Sequence, residues 1–129
     1  FSVFTPYAAT VCATGVMTEK ALIAAEQLAQ AGIQIKVLNI HTIKPLDEAA
    51  IIAAARATGA IVTAEEHNFM GGLSGAVAEV VVRNAPVPME FVAVQDRFGQ
   101  SGKPAVLMEE YGLTAEAIVN AVKKVIDRK

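Results

Sequence analysis

Two histidines, His41 and His67, two adjacent carboxylates, Glu65 and Glu66, and a diglycine, Gly71-Gly72, are the residues of this chain best suited to chemistry. Neither histidine falls in a metal-ligand spacing. Each reads as a hydrogen-bonded or interface imidazole in a loop where a functional role stays open. Glu65 and Glu66 point to opposite faces if they lie in a strand, so without a bend they cannot share one acid–base site. Gly71-Gly72 ahead of a helix can offer free N–H groups and a positive dipole end to an anion. The spacing through Leu73, Ser74 and Gly75 is neither the dinucleotide fingerprint nor the phosphate loop with its Gly-Lys-Ser/Thr ending. A second reading has Gly72 and Gly75 letting the helix lie close against a sheet. Ser74 with His67 suggests a nucleophile and base, but Gly72-Leu73-Ser74-Gly75 is one residue short of the nucleophile elbow. Ser74 therefore reads as a helix-terminus serine. Arg97 and Lys44 are free to pair with Asp96 or Asp47, or to meet a partner chain. Cys12, the single cysteine, sits in the apolar run Val11-Cys12-Ala13 and reads as a buried, inert thiol.

These residues fall in three polar loops, each following a strand-like run. The first run, residues 9–14, is a short buried strand closed by Gly15. A helix over Met17–Ala31 follows, with Met17, Ala21, Ala24, Ala25 and Leu28 on one face and Gly32 at its C-terminal stop. A strand over Ile33–Ile40 leads into the His41 loop, which Pro45 ends. Asp47 then caps a helix over Glu48–Ala57. A third strand, Ala60–Ala64, precedes the Glu65–Gly72 loop and a helix over Leu73–Arg83. A fourth, Met89–Val94, precedes the Asp96–Gly102 loop. A short helical turn at Pro104–Tyr111 and a last helix from Thr114 complete the order. The alternation predicts an α/β three-layer sandwich. Its sheet is mostly parallel, of about five strands, with helices on both faces and ligands at the carboxyl ends of the strands.

Composition narrows the classes. At 129 residues, 53% apolar and 19% charged, the chain supports one domain with a real core and is no disordered tail. A formal charge of −2, with no basic stripe, excludes a phosphate-neutralising nucleic-acid surface. No run approaches the roughly 20 apolar residues of a membrane span, and no signal-peptide pattern is present. Residues 1–129 read as one domain, with residues 1–8 expected to be non-native or truncated.

Several phrases, taken in order, resemble the C-terminal domain of transketolase, most nearly the split type in which that half is a separate subunit. They are Ala13-Thr14-Gly15, His41-Thr42-Ile43-Lys44-Pro45-Leu46-Asp47, Glu65-Glu66-His67 with Gly71-Gly72-Leu73, Asp96-Arg97-Phe98-Gly99-Gln100-Ser101-Gly102 and Tyr111-Gly112-Leu113-Thr114. The likeness covers residues from about 10 to 127. It departs at Leu73-Ser74-Gly75, where a Leu-Gly-Ser order is expected.

The resemblance implies one domain of a cytoplasmic, dimeric thiamine-diphosphate transferase that moves two-carbon ketol units between sugar phosphates. In that family the Gly-Asp-Gly motif for diphosphate and divalent metal, and the glutamate that activates the cofactor, belong to other domains. No catalytic, cofactor or metal residue therefore carries over onto this chain. The expected role is assembly with the catalytic domains or subunit of the same enzyme, as a homodimer, without nucleic acid or membrane. His67, Gly71, Gly72, Ser74, His41 and Arg97 are the candidates for an anion, effector or interface site. The alternative is the equivalent domain of 1-deoxyxylulose-5-phosphate synthase or a 2-oxo acid dehydrogenase beta subunit, acting as a protein-interaction module.

Overall fold

Local signals start and stop the elements. In the computed structural model, which describes residues 7–41, 46–66, 72–94 and 104–129, strand β1 (Ala9–Thr14) ends at Gly15, whose φ of 46° suits glycine. Helix α1 (Val16–Gln30) ends in a Schellman turn: the Gly32 N–H bonds the Ala29 carbonyl at 3.0 Å and the Ile33 N–H bonds that of Leu28 at 2.8 Å. The Gly32 φ of 83° is what makes that turn affordable to the backbone. Strand β2 (Ile35–Ile40) starts two residues later than expected, because Ile33 serves the turn. Helix α2 (Glu48–Thr58) is capped as read from sequence, Asp47 Oδ1 accepting the Ala50 N–H at 3.1 Å.

Strand β3 (Ile61–Glu66) extends beyond its expected end at Ala64, so that both glutamates lie within it. Helix α3 (Gly72–Asn84) and strand β4 (Met89–Val94) follow. Helix α4 (Pro104–Asp127) replaces the expected helical turn and separate last helix with one continuous element. Gly112 inside it costs about 1 kcal/mol relative to alanine. That is too little to break a helix whose second half buries Ile118, Val122 and Val125.

The sheet is fully parallel, in the order β2-β1-β3-β4. Four strands, rather than about five, are present among the described residues. After β2 the chain reverses its direction across the sheet. Right-handed crossovers then require α1 on one face and α2 with α3 on the other. The core follows that division. Ala9, Val11, Ala13, Val62, Ala64 and Val92 pack with α1 and α4, while Cys12, Ile40 and Ile61 pack with α2 and α3.

The amino edge of the sheet is stitched shut. Thr58 Oγ1 bonds Thr10 Oγ1 and the carbonyls of Ala54 and Ala60 at 2.9–3.0 Å. Lys129 Nζ donates to the carbonyls of Ala8 and Thr58 at 3.1 and 2.9 Å. Among the described residues, no helix is long and apolar enough to cross a membrane.

Candidate functional site

In an open parallel sheet, ligands and partners meet the carboxyl edge where the strand order reverses. Here that point lies between β1 and β3. It is bordered by Thr14-Gly15, by the end of β3 and by the start of α3. The loop after β1, which sequence reading treats only as a strand end, is thus as central as any of the three loops singled out. Gly15 precedes α1 without a side-chain cap. Thr18 in the first turn of α1 donates its hydroxyl to Asn39 Oδ1 at 3.0 Å, which ties α1 to the end of β2.

The best-defined polar group at this edge is Glu65. Alternation along β3 turns its side chain inward with Ile61 and Thr63, toward the α2–α3 face, and leaves it only 1% exposed. Its Oε2 accepts the Ser74 N–H at 2.9 Å and its Oε1 accepts the Leu73 N–H at 3.3 Å. Those two amides are orphans in the first turn of α3. The residue ahead of the helix, Gly71, has no side chain to cap them. A carboxylate brought from β3 therefore does the work of an N-cap, with the helix dipole and two charge-assisted bonds offsetting its desolvation. Sequence reading missed this role. The available signal was a glutamate at a strand end followed by a helix that opens on glycines.

The other candidates divide. Ser74 lies in the first turn of α3, as expected, half-buried, and it engages Glu65 through its backbone. Gly72 opens α3 and is exposed. The expectation that Gly75 permits close packing is overturned: it is exposed, and a Cβ built there would meet nothing within 4 Å. His41 follows β2 and is exposed. With Leu38, Asn39, Ile40, Leu46, Asp47 and Ala50 it lines an open depression of about 380 Å³ beside the α2 start. One strand, β1, separates β2 and β3, so the strand that precedes His41 and the strand that carries Glu65 lie roughly 10 Å apart. His67, Gly71 and Arg97 lie outside the described residues, as does Lys44. No distance therefore joins Ser74 to His67. Burial pushes the Cys12 thiol up to about 12, which keeps it protonated and unreactive.

A diphosphate and divalent-metal cradle does not fit what these residues offer. Among the described residues no three of His, Cys, Asp or Glu converge to hold a metal. Among the described residues, the buried carboxylate at the edge, that of Glu65, has both oxygens engaged by α3. No step through such a cofactor is assigned to this chain.

The order β2-β1-β3-β4, with a buried carboxylate clamping the third helix at the switch point, defines a doubly wound parallel α/β domain. Residues 7–118 match the family model of the transketolase C-terminal domain, and the chain belongs to that family. It is 50% identical over 120 residues to the 6-deoxy-6-sulfo-D-fructose transketolase subunit SqwH of Clostridium sp. (strain MSTE9), covering 93% of this chain and 37% of that protein. It is 42% identical over 120 residues to the transketolase of Homo sapiens, covering 92% of this chain and 19% of that protein. A solved split gene transketolase, described as an inactive beta4 tetramer, superposes with a TM-score of 0.79 at 47% identity, over 92% of this chain and 39% of that one. The chain thus spans well under half the length of these relatives. The about-five-stranded, mostly parallel α/β expectation holds in its architecture, with four strands described.

Proposed function

We propose that this chain is the third domain of a transketolase-like transferase and that it works as the assembly and stability element of that enzyme. The observation that carries the reading is the 47% identical split gene transketolase, whose fold follows 92% of this chain while the chain accounts for 39% of it. The whole enzyme would move two-carbon ketol units between sugar phosphates with thiamine diphosphate and a divalent metal, both held by other domains. Its setting would be the cytoplasm and the pentose phosphate pathway. Residues 1–129 form a single domain in this reading, which partners with the catalytic domains or subunit of the same enzyme in a homodimer. The relatives that carry the name transketolase support this over the synthase and dehydrogenase alternatives.

The carboxyl edge is the surface offered to that partner. His41, Gly72 and Ser74 mark it in space, and His67, Gly71 and Arg97 belong to the same loops in sequence. An interface role is carried forward rather than an anion site, because the Leu73 and Ser74 donors are committed to Glu65.

Calorimetry with thiamine diphosphate and magnesium on the isolated chain tests the division of labour. No heat of binding is expected, and tight binding by the chain alone overturns it. Mixing the chain with a protein that carries the other two domains should restore ketol transfer. If the mixture stays inactive although the two chains form a stable complex, the assembly role is wrong.

A further inference from the structure

A strand at the border of a sheet shows a row of unpaired N–H and C=O groups, a template on which another strand can form. Strand β4 is such a border, since among the described residues it pairs with β3 and with no other strand. The register decides which of its groups are left over. Ile61 lies opposite Met89 and donates its N–H to the Pro88 carbonyl at 3.1 Å, so the backbone groups of Met89, Phe91 and Ala93 turn away from β3. No proline or lysine interrupts β4, and the Phe91 side chain stands 57% exposed beside this row. The row is also self-complementary. Antiparallel pairing of two copies about Phe91 sets Phe91 against its own mate and Met89 against Ala93 of the second copy, so that outward groups meet outward groups at every pair.

One acceptor in the row is already taken. Arg128, just past the end of α4, donates from its guanidinium to the Met89 carbonyl at 2.7 Å. The same nitrogen pairs with Glu90 Oε2, and Lys124 Nζ lies 3.6 Å from Glu90 Oε1. We infer that Arg128 is an edge guard: a guanidinium, locked by Glu90 over the Met89 carbonyl, that keeps β4 from pairing with β4 of a second copy of this chain. An incoming strand must displace the guanidinium or bury its charge, and the two-fold pairing meets that obstacle at both of its ends. The guard rests on the β4 register and the Arg128 bonds and is independent of the enzyme reading above.

Sedimentation velocity of the 129-residue chain from micromolar to millimolar concentration, with hydrogen exchange at the Phe91 and Ala93 amides, tests the guard. In the wild type these two outward amides should gain no protection as concentration rises. Arg128→Ala should self-associate at least about tenfold more tightly, with protection at Phe91 and Ala93 that grows with concentration. Adding Phe91→Lys, which puts a charge on the edge, should return the double variant to wild-type behaviour. Glu90→Gln leaves Arg128 in place but unlocks it, and it should give a weaker form of the same response. Concentration-dependent protection at Phe91 and Ala93 in the wild type overturns the guard. So does a folded Arg128→Ala that keeps wild-type sedimentation and exchange, or one whose association survives Phe91→Lys. If Arg128→Ala does not fold, Glu90→Gln decides, and wild-type behaviour of that variant overturns the guard.

Discussion

Ser74 donates its backbone N–H to Glu65 Oε2 over 2.9 Å, nine positions away in the chain, and this bond fastens the start of α3 to the end of β3. The companion bond from Leu73 makes the carboxylate a two-point clamp. Loss of such a clamp leaves one buried and one half-buried donor without their acceptor, and bonds to charged groups are worth about 1.5–3 kcal/mol each. Glu65→Ala should lower the stability of the domain by about 3 kcal/mol in urea denaturation at neutral pH, and Glu65→Gln by about half as much. A change below about 0.5 kcal/mol for the alanine variant would show that solvent replaces the clamp without cost.

Thr63 occupies the same face of β3, fully buried, and its Oγ1 has no partner among the described residues. Replacing an unsatisfied buried hydroxyl by a methyl of the same shape removes a desolvation penalty. Thr63→Val should therefore stabilise the fold by about 1 kcal/mol, read as a higher urea midpoint at unchanged slope. A lower midpoint would mean that the hydroxyl is satisfied in solution.

Gly15 and Gly75 should respond to alanine in opposite directions. Both have open space around a built Cβ, so sterics against neighbours decide nothing. Gly15 has a φ of 46° and a ψ of −119°, a backbone state that L side chains rarely adopt, and Gly15→Ala should cost more than about 1 kcal/mol. Gly75 is an exposed position within α3, where Gly75→Ala should add up to about 1 kcal/mol through the entropy of the unfolded chain. Thermal unfolding of the two single variants measures the contrast, and equal shifts of the same sign would refute it.

Cys12 contributes a pH dependence with a definite sign. Its thiol is raised from 9.0 to about 12 by burial, so the folded chain keeps a proton that the unfolded chain releases. This contribution is fully present below pH 9 and is lost as pH rises from about 9 to about 12. Cys12→Ala should flatten the fall in stability across that window. At neutral pH, alkylation of native Cys12 should proceed only as fast as the chain opens, accelerating in urea in step with unfolding.

Much of the architecture was legible because its signals are local. Asp47 three residues ahead of Ala50 and Gly32 after the apolar stripe of α1 announce element ends through bonds that span a single turn. The alternation of strands and helices pointed to a mostly parallel sheet, whereas the strand order that, with right-handed crossovers, places α1 opposite α2 and α3 came from the structure. Where a signal was local but weak, the reading failed. The helical turn expected at Pro104–Tyr111 and the separate last helix from Thr114 proved to be one continuous α4, whose second half is held by the packing of Ile118, Val122 and Val125. Gly75 looked like a packing glycine and faces open space.

The sequence by itself determined most of the element order, the Asp47 cap, the class of fold and the family, because periodicity, turn chemistry and shared phrases are properties of consecutive residues. Only the tertiary structure decided which of two neighbouring glutamates turns inward and what it holds. Alternation says that Glu65 and Glu66 oppose each other, but it does not say which faces α3. The choice was made when β1 paired with β3 as far as Ala64 and β4, on the other side, carried its pleat through to Glu66. That register delivers the Glu65 carboxylate to two amides eight and nine residues away, a meeting that no local pattern encodes.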